Sequence, residues 1–428
     1  TGVQTCALPI SLPPGTVLEL KNIEFAVIVG ENVTIRGGQG QNIVFAGSGS
    51  QNIVLGEDDD ELHGGDGDDV IGSEGGNDRL HGDGGNDTVF GGEGNDTLWG
   101  GDGDDDINGD SGRDTASYSD ASATVTVSLL KQGAVQDTGG GGKDRLSNIE
   151  NLTGSAFNDI LVGDGGNNVL EGGGGNDFLD GGKGKSDTAS YASASAAVTV
   201  TLKTKKAQDT GGAGIDRIKG IENLIGSGFD DLLTGRKKSV IEGGGGDDIL
   251  RASKGTASYE QATSGVTVSL ELQGTAQNTV GAGMDTLTGF RHLLGSSFAD
   301  TLLGDAKRNV LTGAAGDDVL TGGAGRDSFR YTSALDGGDT ITDFTRGQDK
   351  LVFVAGEFGA LKKGKLKAEA FVSGEATTAQ TAKQTFIFDT ASSTLYYDAD
   401  GSGEAAAVAI AVLQGVTTLT HKDIVFGL

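Results

Sequence analysis

Ten consecutive nonapeptides run without a slip from residue 28 to residue 117. They read IVGENVTIR, GGQGQNIVF, AGSGSQNIV, LGEDDDELH, GGDGDDVIG, SEGGNDRLH, GDGGNDTVF, GGEGNDTLW, GGDGDDDIN and GDSGRDTAS. Position eight is apolar in the first nine: Ile35, Val44, Ile53, Leu62, Ile71, Leu80, Val89, Leu98 and Ile107. A fixed period of this kind means small units that bury their apolar residue only by stacking on their neighbours. A chain of 428 residues would ordinarily hold two or three domains with conventional cores. Here the hydrophobic fraction is 35% and glycine supplies 77 residues, so a stripe of single side chains replaces such cores.

The same region is intensely acidic. Residues 55–114 hold 20 of the 61 acids but only two bases, Arg79 and Arg113, within a chain of formal charge −29. That charge excludes nucleic acid and anionic membrane as natural partners. No apolar run approaches the ~18 residues of a membrane span. The four histidines, His63, His81, His292 and His421, are too dispersed in sequence to suggest a zinc site, and no HExxH is present. An acidic block is either disordered or meets a cation. The unbroken phase of position eight argues for the cation.

The repeat GGxGxDxUx, with U a large apolar residue, resembles the RTX (repeats-in-toxin) calcium-binding nonapeptide. Strict matches begin at Gly64, Gly91, Gly100, Gly139, Gly172, Gly211, Gly243 and Gly322. The resemblance implies an all-β fold: a right-handed parallel β-roll, or β-solenoid, of stacked nonapeptide coils. Two nonapeptides make one coil of 18 residues, and repeats n and n+2 share an ion. Calcium, a hard cation, takes six to eight oxygens, and carboxylates and glycine-turn carbonyls suit it. The implied carboxylate ligands of the first block are Asp60, Asp69, Asp78, Asp87, Asp96, Asp105 and Asp114. Val33, Asn42 and Gln51 hold position six earlier, which marks residues 28–54 as a metal-free start. Later candidates are Asp159, Asn168 and Asp177, then Asp231 and Asp248, then Asp300, Asn309, Asp318 and Asp327. Backbone carbonyls are expected from Gly64, Gly67, Gly91, Gly94, Gly100, Gly103, Gly172, Gly175, Gly243, Gly246, Gly322 and Gly325. About eight to ten Ca²⁺ ions are expected in all. Asp144, Asp216 and Asp285 are weaker candidates.

A longer period overlays the first. DTASY at 114–118 recurs at 187–191 and, as GTASY, at 255–259. Each copy leads into an alternating β segment, then TGGGGKDRL, TGGAGIDRI or VGAGMDTL. Each unit closes on GSAFNDILV, GSGFDDLLT or GSSFADTLL, which restarts the nonapeptides. The insertions are expected to continue the solenoid, with Tyr118, Tyr191 and Tyr259 packing where roll and insertion join. Trp99, at position nine, is expected on the outer face. The expected organisation is a lead-in at 12–27, a first block at 28–117, and superrepeat units at 118–189, 190–258 and 259–332. A small β module fills 333–428, with strands near 386–389, 395–398 and 408–413. Cys6 is the only cysteine, and Pro9, Pro13 and Pro14 are the only prolines. Residues 1–10 look like translated sequencing adapter, so residues 1–11 are set aside as artefact and no thiol chemistry is inferred.

The C-terminal region resembles that of serralysin-type secreted proteases, and DIVFGL at 423–428 resembles a type I secretion signal or simply a last strand. The segment DADGSG at 398–403 faintly resembles an acidic calcium loop, and a solvated hairpin turn is the simpler reading. The resemblance implies a secreted, extracellular calcium-binding fragment, exported by type I secretion machinery and folded outside on calcium. No catalytic residues are expected within these residues. Two alternatives stand beside this. The chain is the tail of a secreted protease, lipase or alginate epimerase whose catalytic domain lies upstream, or it is an adhesin or surface-layer stalk with a polysaccharide or cell-surface partner.

Overall fold

The computed structural model describes residues 10–20, 25–29, 32–38, 40–358, 363–375 and 379–427. The chain is all-β, and its helical content among these residues is four single 3₁₀ turns. Two compact units are present, residues 1–195 with 204–223, and residues 196–203 with 224–428.

In the first unit successive nonapeptides alternate between two parallel ladders. One ladder runs through Thr34–Arg36, Asn52–Val54, Val70–Gly72, Thr88–Glu93 and Asp106–Ser111. The other runs through Ile43–Phe45, Glu61–His63, Arg79–His81, Thr97–Trp99 and Thr115–Ser117. Most strands are only three residues long because positions seven to nine carry the pleat and glycine turns take the rest. Register is exact at 18 residues, with Val89 between Ile71 and Ile107 and Leu80 between Leu62 and Leu98. All nine position-eight residues from Ile35 to Ile107 are fully buried. Each such side chain contributes roughly 1.5–3 kcal/mol by leaving water, so the stripe is the core.

The first insertion belongs to the same roll. Its hairpin, Val135–Gly139 with Gly142–Ser147, closes the first ladder: Leu146 pairs with Ile107 in parallel register. Its earlier strand, Thr126–Ser128, opens a new ladder that continues through Ile160–Val162, Phe178–Asp180 and Gly214–Lys219. One insertion thus ends one sheet and begins the next. The second ladder carries on past it through Asn151–Thr153, Val169–Glu171 and Thr188–Ser190.

The second unit repeats the plan. Thr267–Ser269 opens a ladder with Thr301–Leu303 and Val319–Thr321, while Gly283–Leu294 pairs with Ile249–Ser258. The nonapeptide spacing relaxes beyond residue 333, yet the roll continues. Asp339–Ile341 pairs in parallel with Val319–Thr321, and Lys350–Val354 with Ser328–Tyr331. The terminal strands Phe386–Asp389, Thr394–Tyr397 and Val408–Leu413 form an antiparallel sheet. Ile424–Gly427 is a strand paired with Lys350–Val354. Around Phe353 gather Phe358, Phe386 and Phe426, with ring centroids 4.8–6.1 Å away, so aromatics form a compact core here.

Candidate metal centres

Position six closes each glycine turn just before the strand, and its side chain is turned inward. Asp60, Asp69, Asp78, Asp87, Asp96, Asp105 and Asp114 are all buried. Each uses Oδ1 to accept the backbone N–H of the position-six residue one coil earlier. Asn42 donates to Asp60, Gln51 to Asp69, Asp60 to Asp78, Asp69 to Asp87, Asp78 to Asp96, Asp87 to Asp105 and Asp96 to Asp114, at 2.6–2.9 Å. The carboxylates therefore form two ladders, each rung joining residues 18 apart.

The second oxygen sets these residues apart. Oδ2 of Asp69, Asp78, Asp87, Asp96, Asp105 and Asp114 is buried and receives no hydrogen bond. A buried carboxylate oxygen without a donor or cation is costly. Burial accordingly pushes the pKa of Asp69, Asp78, Asp105 and Asp114 up to about 7, and of Asp60 and Asp87 to about 6. What lies beside these oxygens is more oxygen. A Cβ on Gly82 would strike both Asp87 Oδ2 and the Gly100 carbonyl of the next coil. The same juxtaposition recurs at Gly64 with Asp69 and the Gly82 carbonyl, and at Gly91 with Asp96 and the Gly109 carbonyl. An oxygen-only set of carboxylate and carbonyl, drawn from two coils and lacking donors, fits a hard cation such as Ca²⁺.

The carbonyls divide by position. Those of Gly100, Gly172, Gly243 and Gly322, at position one, lie beside the position-six side chains of Asp87, Asp159, Asp231 and Asn309. Those of Gly67, Gly94, Gly103, Gly175 and Gly246, at position four, instead face the Cα of Gly85, Gly112, Gly142, Gly214 and Gly283 one coil on. Gly85 has φ +135° and no room for a side chain there, so position four stays glycine to let coils stack. The Gly325 carbonyl accepts from the Gln348 side chain.

The later candidates fall into two groups. Oδ2 of Asp177, Asp248, Asp318 and Asp327 is buried without a donor, and so is that of Asp187 and Asp339. The others already have protein hydrogen-bond partners at both ends of the side chain. Asp159, Asp231 and Asp300 each open a block, and each accepts from the backbone and hydroxyl of a serine four residues back, Ser155, Ser227 or Ser296. Asn168 accepts from the Asp164 N–H and donates to the Glu150 carbonyl; Asn309 does the same with Asp305 and Arg291. Asp60 Oδ2 accepts from Gly56 at 3.2 Å.

The insertion aspartates stand in the ladder itself. The Asp105 N–H donates to Asp144 Oδ1, that of Asp177 to Asp216, and that of Asp248 to Asp285, at 2.9–3.1 Å. Here the second oxygen is served by protein hydroxyls. Tyr118 at 3.0 Å and Thr138 at 2.9 Å donate to Asp144 Oδ2, and Tyr259 at 3.0 Å and Thr279 at 3.3 Å to Asp285 Oδ2. Thr210 donates to Asp216 Oδ2 at 3.3 Å, with Tyr191 facing the same carboxylate outside hydrogen-bond geometry. Burial and then the facing aspartate raise the pKa of all three tyrosines, so they remain donors. The recurring tyrosines thus do more than pack. The signal was present in the sequence as a threonine six residues before each of Asp144, Asp216 and Asp285.

Past residue 333, where the nonapeptide frame ends, the ladder adds two rungs. Asp318 donates its N–H to Asp339 and Asp327 to Asp349, across 21 and 22 residues. On the exposed side, position five forms a ladder of opposite sense. The N–H groups of Asn77, Asn86, Asn95 and Asp104 donate to the side chains of Asp59, Asp68, Asn77 and Asn86, at 2.7–2.9 Å. Position nine stacks as well. The rings of Phe45, His63, His81 and Trp99 lie 4.0–4.6 Å apart in succession. Trp99 is buried rather than exposed at the surface, because His81 covers one side and Ser119 Oγ accepts its indole N–H at 2.9 Å. Histidines dispersed by 18 residues in sequence are neighbours in space, and His63, His81 and Asp83 bring ligand atoms within 4.8 Å of one another. The two imidazoles are nearly parallel, so their in-plane lone pairs run side by side rather than toward one point.

The RTX calcium-binding nonapeptide repeat family matches residues 30–50, 46–80, 81–116, 153–185, 224–256 and 294–329. These segments hold the position-six ladder and leave the inserted hairpins unmatched. No curated protein matches the chain.

Proposed function

We propose that this chain, a carrier of RTX calcium-binding nonapeptide repeats, is a secreted β-roll whose repeat blocks complete their fold on extracellular calcium. The observation that carries the reading is the row of buried Oδ2 atoms with no donor. The ligand set we propose is Asp69, Asp78, Asp87, Asp96, Asp105 and Asp114, with Asp177, Asp187, Asp248, Asp318, Asp327 and Asp339 in the later blocks. The position-one carbonyls of Gly82, Gly100 and Gly109 join the sets of Asp69, Asp87 and Asp96. Asp60, Asp159, Asn168, Asp231, Asp300 and Asn309 serve as rungs that hold the neighbouring coil. About eight to ten ions remain the expected number. When bound, calcium supplies the positive charge that the clustered carboxylates lack, and its binding free energy becomes folding free energy.

The chain's own residues do the rest. The position-six Oδ1 rungs hold consecutive coils in register, and the Tyr and Thr hydroxyls close the ladder at each insertion. The domains we propose are a first block at 28–117, units at 118–189, 190–258 and 259–332, and a terminal module at 333–428 whose strands Asp339–Ile341 and Lys350–Val354 still pair with the roll. Among the described residues no helix is long and apolar enough to cross a membrane. A role without catalysis is part of the same proposal, supported by carboxylates arranged as a ladder rather than paired around a cleft, and so is export through type I machinery, which rests on the resemblance of residues 423–428 to a secretion signal. Circular dichroism of the full chain during calcium titration after chelation tests it. The expected result is β signal that rises with calcium to a midpoint of about 10⁻⁴–10⁻³ M. Full β signal in excess chelator would sink the proposal.

A further inference from the structure

The terminal sheet holds a second kind of oxygen cluster, outside the repeats. The loop 398–407 joins strands Thr394–Tyr397 and Val408–Leu413 and reads DADGSGEAAA. Ten residues are far more than the two to five a hairpin needs. A solvated turn would expose its acids, but Asp398 is only 4% exposed. Its N–H is tied to the Thr385 carbonyl at 2.9 Å, and its Oδ1 is buried with no hydrogen-bond partner. Asp398 lines an open hollow of about 530 Å³ together with Tyr396, Gly401, Ser402 and Gly403. Asp400 folds back over the loop, accepting from the Ala405 N–H at 3.1 Å, and a Cβ at Gly403 would collide with its carboxylate. Burial, and then the Asp400 carboxylate, raises the pKa of Asp398.

We infer that this loop is a calcium site of its own, with Asp398, Asp400 and Ser402 as side-chain ligands. Oxygen-bearing residues at every second position, followed by glycine, match positions one, three, five and six of the twelve-residue calcium loop of EF-hands. Position twelve falls on Ala409, so the bidentate glutamate of that loop is missing and binding is weak. The expected affinity is about 10⁻⁴–10⁻³ M, within reach of extracellular calcium. The inference stands apart from the repeats, because none of its ligands is in the ladder.

Hydrogen–deuterium exchange of the full chain with and without 5 mM calcium chloride, read by peptide, is the test. In the wild type, calcium should slow exchange of peptides covering 398–407 about tenfold. Asp400→Asn, at an exposed side chain, should abolish that slowing while the peptides of 64–117 keep theirs. Asp398→Asn should act likewise. Loop exchange indifferent to calcium in the wild type, or slowing that survives in both variants, would overturn the site. Indifference of the repeat peptides instead would count against the repeat proposal alone.

Discussion

Asp105 and Asp144 are consecutive rungs of one ladder, yet they are finished differently. Both are buried, and each Oδ1 accepts a backbone N–H from the preceding coil. Asp105 Oδ2 then meets no donor, whereas Asp144 Oδ2 receives two hydroxyls. The backbone of the roll is therefore indifferent to what completes the carboxylate. Under the proposed function that role falls to a calcium ion in the nonapeptide turns, while in the insertions it falls to Tyr118 and Thr138 or their counterparts. Each hydroxyl bond to a charged acceptor contributes about 1.5–3 kcal/mol. The protein thus alternates turns whose carboxylates lack a donor with rungs that carry their own partner.

The largest effect expected from this contrast is on chelation. Peptide-resolved exchange in excess EGTA should show residues 64–117 losing nearly all protection while the aromatic cluster around Phe353 keeps most of its own. Equal loss in both regions would erase the distinction. Next in size are two matched substitutions. Asp96→Ala removes the rung to Asp78 and one of the open oxygens, so the calcium midpoint should rise at least about tenfold. Asp144→Ala leaves the buried Tyr118 hydroxyl and the Asp105 N–H unpaired, while Thr138 keeps the Gly142 carbonyl, costing about 2–4 kcal/mol at any calcium concentration. Thermal melts across a calcium series separate the two, since only the first should depend on the ion.

Acidity should act on the open turns in a definite direction. Burial raises Asp69, Asp78, Asp105 and Asp114 to about 7, and Asp177 and Asp248 to about 8, above the roughly 4 of an unfolded aspartate. A raised folded-state pKa means that protonation favours the folded turn. Without calcium, that stabilisation is complete below about pH 4 and disappears as pH rises through about 6–8. Circular dichroism in EGTA should therefore show more β structure at pH 5 than at pH 8. With calcium the order should reverse, because the ion competes with protons for the same oxygens. The smallest effect is that of Tyr118→Phe, which removes one donor while Thr138 remains. A loss of about 1–2 kcal/mol by denaturant titration, with the calcium midpoint unmoved, is expected.

Much of this fold is legible in the sequence. The period of nine and the apolar position eight place nearly every short strand of the first block, since each strand is set by its own nine residues. The strands at 386–389 and 408–413 were equally plain from their apolar runs. What resisted reading was anything depending on a partner far along the chain. Asp144, 39 residues from Asp105, looks peripheral in sequence and is a full rung in space. Asp339 and Asp349 join the ladder at spacings of 21 and 22, which no search in nines detects. Ser155, Ser227 and Ser296 look like turn residues, but their hydroxyls decide that Asp159, Asp231 and Asp300 are already satisfied. The stacking of His63 on His81 follows from the coil length and not from any local motif.

The spacing of the rungs also sets how the molecule would yield to a pull. A rung between residues 18 apart, once broken, releases one coil, about 60 Å of extended chain. The rungs at Asp144 and Asp216 span 39 residues, so each of those failures releases about 130 Å. A chain drawn out from one end would lengthen in a run of short, even steps broken by occasional long ones. The order of those steps would spell the sequence of repeats and insertions, and calcium would set the force at which the short ones occur.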